Sequence, residues 1–267
     1  MPEVNEFAEV RAEQFLNLGS TDVTPEHWLG LSNRINQIFR DDPDATGVAV
    51  THGTATLEET AYFLNLTVKS SKPVVVTGSM RPPTGLSTDS DVNLIDCIRV
   101  AANPRSSGRG VLTVLNNQIQ AARDVTKTNS YRLETFQAAD FGFLGYADSD
   151  EEVVFYRRSD RAHTIDSEFD VTDVNELPRV DIAPAYAGAD GLIVRALANA
   201  GVDGLIASGL GSGGSPPPYM AALKEVSDAG LPVVIATHTG TGRVVQTRRI
   251  TEEGYNVADL SLIHISE

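Results

Sequence analysis

The sequence predicts an α/β protein of two domains, each a parallel sheet covered by helices on both faces, and three observations predict it. Short apolar runs alternate with stretches of helical periodicity through both halves of the chain. A polar, aperiodic segment between Phe155 and Val180 interrupts that alternation, as a linker does. At 267 residues the chain is long enough for two ordinary cores. The expected division is 1–155, a linker over 156–179, and 180–267.

In the first domain the strand-like runs are 47–51, 73–77 and 110–115, and the helical patterns are 25–40, 57–69 and 90–102. The earliest helix has Thr24 as a cap and Pro25 at its first position, where a missing N–H costs nothing; Trp28, Leu31, Ile35 and Ile38 line one face. After Gly47-Val-Ala-Val50, the residues Leu57, Ala61, Phe63, Leu64 and Val68 recur at helical spacing. Cys97, the single cysteine, falls in the apolar helical run 93–100 and is expected to be packed rather than reactive. Beyond the linker the pattern restarts, with strands at 180–183, 204–207 and 232–236 separated by helices at 189–200 and 217–229. Alternating βα units of this kind join parallel strands by crossover helices.

Composition narrows the partners. A net charge of −15 and a pI near 4.7 disfavour nucleic acid or an anionic membrane as a direct partner. No apolar run approaches the roughly twenty residues of a membrane span. No signal peptide is visible, but with the N-terminal segment expected to be missing that silence is uninformative, and the location stays open with the cytoplasm favoured. The histidines lack metal-ligand spacing, so neither a metal nor another cofactor is expected. Gly209-Leu-Gly-Ser-Gly-Gly214 matches a dinucleotide fingerprint only formally, because Pro216-Pro-Pro218 follows at once and the motif is not in the first βα unit.

Two segments carry chemistry. In Thr51-His-Gly-Thr-Ala-Thr-Leu-Glu-Glu-Thr60 a strand gives way to a helix, which presents backbone N–H groups and the Thr54 hydroxyl at a helix N-terminus. Taken alone, Thr54 and Thr56 also read as helix caps, with Glu58 and Glu59 enriching the first turn. In Ala122-Arg-Asp-Val-Thr-Lys-Thr-Asn129, Lys127 is flanked by hydroxyls and an amide after the 110–115 strand. A desolvated lysine loses proton affinity and acts as a base toward a neighbouring hydroxyl, whereas a solvated loop lysine does not. The chain has only four lysines among its 21 basic residues.

At these segments the sequence resembles the bacterial-type L-asparaginase and glutaminase-asparaginase family. The resemblance runs from Glu13-Gln-Phe-Leu-Asn-Leu-Gly-Ser-Thr-Asp22 through Thr51–Thr54, Glu58–Leu64, Gly78-Ser-Met-Arg-Pro82, Arg123–Asn129 and Gly142-Phe-Leu-Gly145 to Asn175-Glu-Leu-Pro178, and more loosely to Ser261. It implies a two-domain asparaginase-like fold and hydrolysis of L-asparagine, and of L-glutamine in some members, through an acyl-enzyme on a threonine. Within that scheme Thr54 activates or delivers the attacking water and Lys127 sets the protonation of Thr54. Ser20, with backbone groups at Gly53 and Ser79, holds the substrate; Thr21 lies where the family varies. The resemblance also implies a homotetramer in the full-length parent, with the Gly209–Gly214 loop near a partner's active site.

The sequence departs from the family pattern in three places. Met1-Pro-Glu-Val-Asn-Glu-Phe7 aligns past the first strand and its Gly-Gly-Thr-Ile-like nucleophile segment, so residues 1–267 alone are expected to be nearly inactive. Ala55 stands where the family usually has an aspartate that serves both lysine and substrate, so either another carboxylate substitutes or substrate preference or rate has changed. Leu262–Glu267 has no family counterpart where a long helix is expected, and is read as non-native sequence. Two other readings compete with the asparaginase: the amidase subunit of a tRNA-dependent amidotransferase, which shares this domain, and a non-catalytic amino-acid-binding protein, which Ala55 supports.

Overall fold

In the computed structural model, which describes residues 2–245 and 254–257, the chain forms two units, Met1–Asn175 and Glu176–Glu267. The first contains α1 (Pro25–Asp41), β1 (Val48–Thr51), α2 (Leu57–Thr67), β2 (Val74–Thr77), α3 (Ser90–Ala102) and β3 (Val111–Leu115). It continues with β4 (Gln118–Ala121), β5 (Thr126–Lys127), β6 (Phe136–Gln137), β7 (Gly145–Ala147) and β8 (Val153–Phe155). Six strands make one sheet in the order β1-β2-β3-β4-β7-β8, and β5 and β6 form a separate antiparallel pair.

Strand residues of period two divide the core. Val74, Val76, Val111 and Leu115 pack with Ile35, Leu57, Ala61 and Leu64 of α1 and α2. Val75, Leu112 and Val114 point to the other face, against Cys97, Val100 and Ala101 of α3. Burial on both faces is why β2 and β3 are apolar apart from the buried Thr77 and Thr113. Cys97 is fully buried, and its thiol lies 3.3 Å from the Val75 carbonyl.

The sheet is parallel only from β1 to β3; β4, β7 and β8 are antiparallel to their neighbours, against the expectation of a wholly parallel sheet. The reversal is made by Asn116 and Asn117, both at positive φ (52° and 62°), a conformation that asparagine tolerates and hairpin turns require. The segment 156–175 belongs to this unit: Lys69 Nζ donates to the carbonyls of Thr164 (3.3 Å) and Ser167 (2.7 Å).

The second unit contains β9 (Val180–Pro184), α4 (Leu192–Asn199), β10 (Gly204–Gly209), α5 (Pro217–Asp228), β11 (Val233–Thr237) and β12 (Asn256–Val257). Its sheet is parallel in the order β12-β11-β10-β9. Among the described residues α4 and α5 cover one face, through Val194, Tyr219, Leu223 and Val226 against Ala183, Leu205 and Ile235. On the opposite face Ile206 and Ala236 are buried while Ile182 is 52% exposed, so among the described residues the expected helical cover is seen on one face. The read-through expected at Leu262–Glu267, with His264, lies outside the described residues.

Candidate active site

Three segments converge at the C-terminal ends of β1 and β2, the end at which α/β sheets hold ligands. The first is the turn 52–56 between β1 and α2. It approaches the short 3₁₀ turn Ser20–Asp22 so closely that a Cβ on Gly53 would lie 2.6 Å from Ser20 Oγ, which is why glycine stands there. The Ala55 N–H donates to Ser20 Oγ (3.2 Å), and the Thr56 hydroxyl donates to the Ser20 carbonyl (2.7 Å). Thr56 is the N-cap residue of α2, yet its side chain makes no capping bond. The helix-cap reading of this turn is therefore incomplete: the hydroxyl ties two loops together instead.

The second segment follows β2. A Cβ on Gly78 would meet the His52 carbonyl at 2.4 Å and Thr54 Cγ2 at 3.2 Å, so this loop also sits directly on the signature turn. The Asp89 carboxylate orders it, accepting the N–H groups of Met80 and Arg81 (both 2.9 Å) and the Asn93 side-chain amide (2.9 Å). Asn93 in turn donates to the Gly78 carbonyl (2.9 Å). Ser79 is thereby carried on a braced loop beside Thr54.

The third segment is the β5–β6 hairpin. Lys127 pairs with Phe136 in register, and Val125 and Phe136 anchor the hairpin in the core. The half-buried Lys127 Nζ lies 2.8 Å from Thr54 Oγ1, joining residues 73 positions apart in sequence. Glu58, on the first turn of α2, accepts the backbone N–H of Lys127 and is hydrogen-bonded by the Thr126 side chain. Burial raises the Glu58 carboxyl above its ordinary range, against those two bonds and the charge of Lys127.

His52 is fully occupied. Trp28 Nε1 donates to Thr60 Oγ1 (2.7 Å), which leaves the Thr60 hydroxyl to donate to His52 Nε2 (3.0 Å) and His52 Nδ1–H to donate to the Gly53 carbonyl (2.7 Å). Burial lowers its pKa, so the ring is neutral and braces the turn rather than acting as a base. The structure thus brings together Ser20, Gly53, Thr54 and Lys127, with Ser79 on the adjoining loop. Thr21 is exposed, and among the described residues no hydrogen bond joins it to Thr54 or Lys127.

Sequence reasoning read Glu58 only as a favourable first-turn acid and overlooked Asp89. The signal for Asp89 was present, since an aspartate directly precedes the helical run from Ser90. Among the described residues no His, Cys, Asp and Glu side chains cluster as a metal site. The glycine-rich loop Gly209–Gly214 closes on itself, with Gly213 and Gly214 N–H donating to Leu210 O at 3.1 and 2.8 Å. Prolines at 216–218 strip N–H donors from the start of α5, so no phosphate cradle forms there.

A strand-end site of hydroxyls and one amine on a two-unit α/β chain is a candidate enzyme active site, and comparison with known proteins makes the family specific. The family model for the N-terminal asparaginase domain matches residues 1–161, and that for the glutaminase/asparaginase C-terminal domain matches 179–262. The chain belongs to the asparaginase family. It is 42% identical over 253 residues to L-asparaginase 2 of Bacillus subtilis, spanning 95% of this chain and 67% of that protein. It is 41% identical over 256 residues to L-asparaginase 2 of Escherichia coli, spanning 96% and 72%. The crystal structure of a probable cytoplasmic L-asparaginase from Campylobacter jejuni superposes with a TM-score of 0.91 at 38% identity, covering 95% of this chain and 80% of that one.

Proposed function

We propose that the protein hydrolyses L-asparagine to L-aspartate and ammonia, with Thr54 and Lys127 as its proton-transfer pair. The observation that carries this is the 2.8 Å contact between Lys127 Nζ and Thr54 Oγ1 at the strand ends. In the neutral form Lys127 accepts the Thr54 proton while Thr54 takes one from the attacking water, whose oxygen bonds to the acyl carbon as the ester oxygen leaves and takes up the proton that Lys127 gained. Ser20, Gly53 and Ser79 line the place where the substrate's carboxylate and amide are held. The first attack, given by the family resemblance to a threonine in a Gly-Gly-Thr-Ile-like segment, has no residue assigned among 1–267.

The relatives named above are asparaginases, which favours this reading over an amidotransferase subunit or a non-catalytic binding protein. The test is ammonia release from L-asparagine and L-glutamine by the protein expressed from its complete reading frame. Release from asparagine is expected; no release from asparagine would overturn the proposal. We also propose a homotetramer, whose Gly209–Gly214 loop faces a partner's site. Light scattering on the active protein checks it, and a fully active monomer would contradict it.

A further inference from the structure

Ala55 leaves Lys127 without the acid that the family pattern places next to Thr54, and the structure contains another carboxylate hydrogen-bonded to the Lys127 backbone N–H. We propose that Glu58 is the positioning residue that supplies Lys127 with its counter-charge and fixes its place against Thr54, an inference that rests on the functional reading above. Glu58 lies four residues after Thr54, so one turn of chain at the start of α2 brings its carboxylate back toward the signature turn. Its Oε2 accepts the Lys127 backbone N–H, its carboxylate is also hydrogen-bonded by the Thr126 side chain, and it lies within electrostatic reach of the Lys127 side chain.

Neighbouring acids are otherwise engaged or exposed. Asp124 pairs with Arg123 at 3.2 Å, both side chains being about 95% buried (4% and 5% exposed). Glu59 is on the same turn but exposed. A carboxylate held by two donors while partly desolvated acts on its neighbour more strongly than a solvated one, because little water screens it. Glu58 therefore does two things: its hydrogen bonds fix the backbone that carries Lys127, and its charge lies within reach of the amine that contacts Thr54.

The test is competitive acylation of the 267-residue chain with trace acetic anhydride at one mildly alkaline pH. The four lysines, Lys69, Lys72, Lys127 and Lys224, are quantified separately by peptide mass. Only the neutral amine reacts, so loss of a nearby negative charge speeds labelling. Glu58→Gln is expected to raise the Lys127 rate about five- to tenfold relative to the other three. Adding Ala55→Asp to that variant is expected to bring the rate back within about twofold of wild type. A purely structural role for Glu58 gives no such rescue, because the lost bond to the Lys127 backbone stays lost.

A Lys127 rate within twofold of wild type in Glu58→Gln, or a raised rate that Ala55→Asp leaves unchanged, overturns the proposal. Should Glu58→Gln fail to fold by circular dichroism, Ala55→Asp in the otherwise wild-type chain decides. With the counter-charge already in place the Lys127 rate falls less than threefold, and a tenfold fall overturns the assignment. Labelling requires no turnover, so its failure removes the role of Glu58 and leaves asparagine hydrolysis to its own assay.

Discussion

Gly53→Ala perturbs the candidate site at its tightest point. The new Cβ would sit 2.6 Å from Ser20 Oγ and 2.8 Å from Ser20 Cβ. Ordinary carbon contacts are about 3.5–4 Å, so Ser20 has to retreat by roughly 1 Å. That displacement breaks the bond from the Ala55 N–H, already 3.2 Å long, and strains the bond from the Thr56 hydroxyl at 2.7 Å. At about 1 kcal/mol each, with some overlap strain, the expected loss is about 1–3 kcal/mol in urea unfolding. Because Ser20 also moves out of the proposed substrate position, L-aspartate should bind at least tenfold more weakly by calorimetry, a change of about 1.4 kcal/mol. Gly240→Ala is the control, since its Cβ would meet nothing within 4 Å. If Gly53→Ala unfolded within 0.5 kcal/mol of wild type and bound L-aspartate within twofold, the close approach of these loops would not be what shapes the site.

Asp96, buried on α3, carries a carboxyl raised to about 6 by burial and by the charge of Asp148, against the pull of Arg99 and of the Asn117 side-chain amide at 3.0 Å. A carboxyl that binds its proton more tightly in the folded state contributes fully at low pH and loses that contribution as pH rises through about 6. A shift of about two units corresponds to about 3 kcal/mol, so Asp96→Asn should gain about 1–3 kcal/mol on wild type between pH 4.5 and 7.5 in urea titrations. An equal difference at both pH values would refute this. Cys97 is sealed in the core, and burial pushes its thiol far above the ordinary range. Iodoacetamide should label it at least a hundredfold more slowly than a free thiol until the chain unfolds, and labelling within tenfold of free thiol would contradict that packing.

Strands buried on both faces announce themselves in sequence as apolar runs broken only by a threonine, which is why β2 and β3 were legible and why α3, with its apolar stripe, was read at the residues where it forms. The antiparallel half of the first sheet was not. β4 carries Gln118 and Gln120, β7 and β8 are three residues long, and their placement rests on the Asn116–Asn117 turn rather than on periodicity. An adjacent asparagine pair after an apolar run was the available hairpin signal. Thr54 and Lys127 were each legible as chemistry in a loop after a strand, but nothing in their spacing says that they touch. Their contact is made by the β5–β6 pairing and the β1–α2 turn together. Glu58 was hidden because an acid in a first helical turn already has a sufficient local explanation in the helix dipole.

The pairing of Lys127 with Thr54 is tested most directly by steady-state kinetics of L-asparagine hydrolysis in Lys127→Met and Thr54→Val, made in the complete reading frame. In the proposed mechanism both groups act on proton transfer in the transition state, so each variant should lose at least a hundredfold in kcat with KM changed by less than about fivefold. The double variant should be no worse than about threefold below the weaker single one, because the two residues work as a unit. A Lys127→Met enzyme with kcat within threefold of wild type, or single losses that multiply in the double variant, would contradict a shared proton path through the 2.8 Å contact.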